Sequence, residues 1–110
     1  MFLWAGTDDG LNRYDGYTFK TYTYDELDPS SIGSNAIRCL ITSSDGTLWI
    51  GTMGGGLHRY IAGKDAFQRY YADENSDNSI QDNSILSLSE DKLGSIWVGT
   101  QIGGAVTNHV

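Results

Sequence analysis

Trp49-Ile50-Gly51-Thr52 decides the fold, because the chain writes it three times: Trp4-Ala5-Gly6-Thr7 stands before it and Trp97-Val98-Gly99-Thr100 after it. The tryptophans lie 45 and 48 positions apart (49 minus 4, 97 minus 49), and glycines follow each copy within a few residues. A period of this size, with a Trp-Gly signature and short apolar runs, is the sequence form of a four-stranded propeller blade. Outward from the motif, a shift of 48 lays Phe19 on Phe67, Tyr22 on Tyr70, Asn35 on Asn83, Ile37 on Ile85, Leu40 on Leu88 and Gly46 on Gly94 without a gap. Only the first copy drifts, in the turn after Thr7 and between Tyr14 and Phe19, where length changes are tolerated.

Within one period the local signals give four strands. Ile37 to Thr42 is apolar and ends at Ser43-Ser44-Asp45-Gly46, a hairpin turn, and is read as the inner strand. Thr47 to Thr52 alternates with period two, Leu57 to Ile61 follows, and Phe67 to Tyr71 is the outer strand. The same register predicts strands at Phe2 to Thr7, Leu11 to Tyr14 and Tyr17 to Tyr24, then at Ile85 to Asp91, Ser95 to Thr100 and Ala105 to about His109. The expected fold is an all-β propeller fragment of four-stranded antiparallel blades. One complete blade (37–71) is flanked by two incomplete ones (1–24 and 85–110) in a single unit. A glycine in mid-strand admits a close neighbour, here the next blade, and the tryptophan supplies opposing bulk. Trp4, Gly6, Trp49, Gly51, Trp97 and Gly99 are therefore read as a packing motif.

Composition agrees with a sheet protein: 39% apolar residues, 14 glycines, a single proline and seven tyrosines in 110 residues. A formal charge of -7, with only seven scattered Lys and Arg, argues against nucleic acid. Cys39 is alone, so it forms no intramolecular disulfide. No apolar run approaches the ~20 residues of a membrane span, so no membrane contact is expected of this chain. Met1-Phe2-Leu3-Trp4 enters the motif at once and Val110 stops within a repeat, so a piece of a longer protein is expected. Three blades do not close a ring, and uncovered edges recruit other chains; a homo-oligomer through the incomplete blades is predicted.

Specificity is expected where the repeats differ, in loops at the face where the inner strand begins. One loop set joins consecutive blades (Asp25 to Asn35, Asp73 to Asn83), and the other contains Asp8, Asp9, Met53 and Gln101. Arg38 opens the inner strand where Leu86 stands in the next copy, which makes it a candidate ligand contact facing the central channel. Asp73-Glu74-Asn75-Ser76-Asp77 imitates the start of a calcium loop, but Asn78 and Ser84 replace its glycine and bidentate glutamate, so an Asx-rich turn is the reading. His58 and His109 have no partner at metal or triad spacing, and His58 is read as a strand residue with a solvated or satisfied ring. Arg13 and Arg59 recur one residue before a tyrosine, which points to a side chain laid across an aromatic ring. No cofactor, metal or catalytic residue is predicted.

The stretches Asp45 to Thr52 and Gly55-Gly56-Leu57-His58-Arg59-Tyr60 resemble the two-component regulator propeller repeat. Gly94 to Thr100, and Leu3 to Thr7 with Gly10-Leu11-Asn12-Arg13-Tyr14, are similar to it as further copies. Ser43 stands where that repeat usually has the aspartate seen at Asp91. The resemblance implies a periplasmic sensor propeller from a membrane-anchored hybrid histidine kinase of Bacteroidetes type. In such proteins a kinase, a receiver and a DNA-binding region lie downstream, and many respond to breakdown products of complex carbohydrates. It implies a non-catalytic ligand-sensing or dimerising scaffold, with an oligosaccharide as ligand. The competing expectations are a propeller enzyme fragment, lyase or glycoside-acting, and a purely structural interaction scaffold.

Overall fold

The computed structural model of the protein describes residues 2–72, 82–101 and 104–108, the last five through their backbone. The calcium-like segment and His109 lie outside the described residues. The strands are β1 (Leu3–Thr7), β2 (Gly10–Tyr14), β3 (Phe19–Tyr22), β4 (Ile37–Thr42), β5 (Leu48–Thr52), β6 (Leu57–Ile61), β7 (Ala66–Tyr70), β8 (Ile85–Glu90), β9 (Ile96–Thr100) and β10 (Gly104–Asn108). They form three antiparallel meanders, β1-β2-β3, β4-β5-β6-β7 and β8-β9-β10, as the repeat predicts. Strand β3 is shorter than the expected 17–24. The Asp15 carboxylate accepts from the Tyr17 and Thr18 amides (2.8 and 2.9 Å) and turns the chain, while Asn35 Oδ1 takes the Tyr24 amide at 2.6 Å.

Repeated sequence gives repeated turns. The Gly46 amide donates to Ser43 O (2.9 Å) and the Gly94 amide to Asp91 O (3.2 Å). Both glycines have positive φ (87° and 85°), the left-handed conformation that closes such a turn without strain. Thr7 and Thr52, the last residues of two motifs, donate their hydroxyls to Gly10 O (3.1 Å) and Gly56 O (2.9 Å).

Two cores lie between the sheets rather than within one. In the first, Trp4, Leu11 and Tyr22 of sheet one meet Ile37, Leu40, Leu48, Ile50, Tyr60 and Phe67 of sheet two. In the second, their repeat mates Trp49, Leu57 and Tyr70 meet Ile85, Leu88, Ile96 and Val98. The middle sheet thus has a front face that meets the first sheet and a back face, built around Trp49, that meets the third. Trp49 is 4% exposed under the third sheet, whereas Trp97 is 41% exposed.

The motif glycines make these contacts close. A Cβ on Gly51 would stand 2.5 Å from Cys39 Sγ and 2.6 Å from Ile85 Cγ2; one on Gly6 would stand 2.8 Å from Ile37 Cβ. An isoleucine from each following sheet therefore sits in a pit floored by the preceding glycine, as the mid-strand glycine predicts.

Candidate functional site at the inner-strand end of the blades

Strands β4 and β8 are the edges of their sheets and pack beside each other. Both carry a β-bulge at the same repeat position, between Ile37 and Cys39 and between Ile85 and Ser87. The extra residue of each bulge is Arg38 or Leu86. Arg38 is exposed and Leu86 is 49% exposed, although the isoleucines before them are buried. A cavity of about 190 Å³ lies beside the first bulge, lined by Gly6, Ile37, Arg38, Cys39 and Leu40. Four of the seven cations, Arg13, Lys20, Arg59 and Arg69, donate to protein oxygens. Arg38 donates to none among the described residues.

Ile37 pairs with Thr52, so the β5–β6 turn comes to the same end of the blade as Arg38. Met53 and Gln101 have a structural task there. Their amides donate to Ala36 O (2.9 Å) and Ser84 O (3.0 Å), fastening the residue before each inner strand. Asp8 and Asp9 are exposed in the β1–β2 turn, where the Asp9 amide donates to Thr7 Oγ1 at 3.0 Å.

The loop that joins the first two blades is more tightly held than a free recognition loop. Ile32 is fully buried in the first core. Arg69 reaches across to donate to Ser31 O (2.7 Å), Ser31 Oγ (2.8 Å) and Asp28 O (3.1 Å), and the Phe67 amide donates to Ser30 O at 2.9 Å. His58 is the third fastening: its Nε2 accepts from the Gly33 amide at 2.8 Å, which places the ring proton on Nδ1. Of the two readings of this ring, the fully buried, satisfied one applies at Nε2; Nδ1 has no well-formed hydrogen bond. Burial lowers the His58 pKa to about 4, and the nearby Ile50 carbonyl only partly offsets this. The ring is therefore neutral at neutral pH.

A second polar centre lies at the outer rim. Asp65, in the β6–β7 turn at φ 50°, accepts from Tyr22 (2.5 Å), Tyr60 (2.6 Å), Arg13 (3.5 Å) and Lys20. Burial pushes this carboxyl up, but the Lys20, Tyr22 and Tyr60 hydrogen bonds outweigh it and hold the group well below the usual carboxylate range. Three of these donors come from the first sheet, so Asp65 joins the two sheets. Arg13 also lies 4.4 Å over the Phe2 ring, as its recurrence before a tyrosine suggests. Arg59 instead donates to Gln68 at 2.6 Å, and its Nε is buried without a partner among the described residues. A single acidic residue between two strands carries no sequence signal of donors 43 to 52 residues away.

The remaining chemistry is quiet. Burial pushes the Cys39 thiol up to about 11, so it packs as a small apolar residue. Among the described residues no group of three His, Cys, Asp or Glu side chains is placed to hold a metal.

Residues 31–54 and 79–101 match the two component regulator propeller family. Those two segments are two-component regulator propeller repeats. The first copy, around Trp4, lies outside both matched segments and joins them through the shared sheet geometry. Over 99% of its length the chain superposes with a TM-score of 0.90 and 28% identity on the extracellular domain of the hybrid two component system BT3049 from B. thetaiotaomicron. The extracellular domain of BT4673 from the same organism matches in fold over 98% of the chain, with a TM-score of 0.79 at 24% identity. A stretch of 30 residues, 27% of the chain, is 57% identical to Histidine kinase P4 of Formosa agariphila. The chain spans 16% of the BT3049 domain, and the 30-residue stretch spans 2% of that kinase.

Proposed function

We infer that this chain is part of the periplasmic sensor propeller of a membrane-anchored two-component signalling protein. It acts as a non-catalytic module that binds an oligosaccharide at the inner-strand end of its blades. The observation that carries this reading is the superposition of nearly the whole chain on the extracellular domain of a hybrid two component system. A non-catalytic role is supported by how the acidic and basic groups are used. Asp15, Asp45 and Asp65 hold turns or sheets together, and His58 is a buried loop fastener. A thermal-shift screen against oligosaccharides tests the reading: saturable stabilisation is expected, and a flat response across the panel overturns it.

Self-association is part of the proposal. Leu3 (61% exposed) and Phe19 (73%) occupy in sheet one the positions that Leu48 and Phe67 bury in sheet two. With Trp97 uncovered on the third sheet, front and back faces are both free for a second copy. Sedimentation at micromolar concentration is expected to show oligomers, and a strictly monomeric, cooperatively folded chain rejects this part.

A further inference from the structure

The two inner-strand bulges do two things at once. Each turns an isoleucine into the neighbouring glycine pit, Ile37 onto Gly6 and Ile85 onto Gly51. Each also leaves the next residue outside the packing, and bulges characteristically re-aim a side chain in this way. The packing residue is identical in both copies, whereas the re-aimed residue changes from Arg38 to Leu86. Leu86 stays 49% exposed although the inner strand of the preceding blade, β4, packs beside β8. The two residues thus share one bulge position on an inner edge strand, and both are exposed there.

We propose that the bulge residue of each blade is the position that selects the ligand, and that Arg38 takes a carboxylate-bearing sugar while Leu86 offers an apolar contact beside it. Two observations converge on this: Arg38 is an exposed cation without a protein partner among the described residues, and it borders a cavity of about 190 Å³. A guanidinium is planar and always charged, and its paired N–H groups match a carboxylate. The inference rests on the ligand-binding reading above and adds the chemical class.

Titration of the 110-residue chain with glucuronate and with glucose, a pair that differs in one carboxylate, provides the test. Glucuronate is expected to bind at least about tenfold more tightly, the scale of one charge-assisted hydrogen-bonded pair. Arg38→Ala should remove that preference and Arg38→Lys should restore part of it. Neither variant should move the melting temperature without sugar, since Arg38 holds nothing in the fold. Equal binding of both sugars, or binding of neutral oligosaccharides without glucuronate, overturns the carboxylate assignment and leaves the ligand-binding reading standing. A chain that binds neither these sugars nor any oligosaccharide overturns both. A melting temperature lowered in Arg38→Ala makes the residue structural and also overturns the proposal.

Discussion

The two interfaces between sheets share one apolar design and differ in their polar trim. In both, a Trp-Leu-Tyr back face meets an Ile-Leu front face, and an isoleucine seats on a motif glycine. The first interface is then locked at its rim by Asp65 and four donors. The second has no such lock among the described residues. Arg59 Nε and Trp49 Nε1 are buried there without partners, and the sheets are instead tied where Ser44 donates its amide and hydroxyl to Glu90 (2.8 and 2.7 Å). The apolar fit recurs at both interfaces, and the polar contacts found among the described residues tie the first at Asp65 and the second at Glu90.

The largest expected effect breaks what the interfaces share. Gly51→Val places atoms onto Cys39 and the branched Cβ of Ile85, with 2.9 Å left for the latter, and should cost about 3 kcal/mol or more. Gly99→Ala is the contrast, because its Cβ meets only the rotatable Ser87 hydroxyl, and urea denaturation should show it to be much milder. Acid comes next. His58 is neutral when folded, with a pKa near 4 against about 6.5 unfolded, so the unfolded chain binds the extra proton. Stability is complete above pH ~6.5 and falls by about 3 kcal/mol as pH drops towards 4. His58→Gln, which keeps an acceptor for the Gly33 amide, should flatten that slope in urea melts at stepped pH.

Asp65→Ala separates the interfaces. It should cost about 2 kcal/mol, from hydrogen bonds to a charged group, and raise amide exchange in β2 and β3 while leaving β8 and β9 protected. Equal loosening of both pairs would erase the distinction. The smallest effect sharpens the comparison from the other side. Trp97 Nε1 donates to Asp91 at 3.0 Å, and Ser43 is the repeat mate of Asp91, which explains why Trp49 Nε1 is left over. Ser43→Asp should supply the acceptor and add about 1 kcal/mol, read as a higher melting temperature. An unchanged or lower value would mean that the new carboxylate is repelled by Asp45.

What the sequence disclosed was whatever recurs at short range. The Trp-x-Gly-Thr copies mark β1, β5 and β9, and the glycine was legible as a place of close approach because a strand interior gives it no other use. The bulge left a trace, since Ile37, Cys39 and Leu40 break the two-residue alternation of β4. Asp65 and His58 were not legible as fasteners, because each acts on a partner at least 25 residues away that folding alone brings near. Loop 25–35 read as a place for specificity, yet Ile32 is buried and Arg69 pins the backbone. Of the candidate contacts, Arg38 was found by its failure to match Leu86, whereas Met53 and Gln101 turned out to repeat one backbone hydrogen bond beneath side chains that differ.

Because each isoleucine knob fits a glycine in the preceding unit and not in its own, the two halves of every joint are inherited on different copies. Tandem duplication of one unit therefore delivers a matched knob and socket at once. A lineage can lengthen or shorten such an array by whole units without redesigning a single joint, while a lone change at either half is felt by the neighbour.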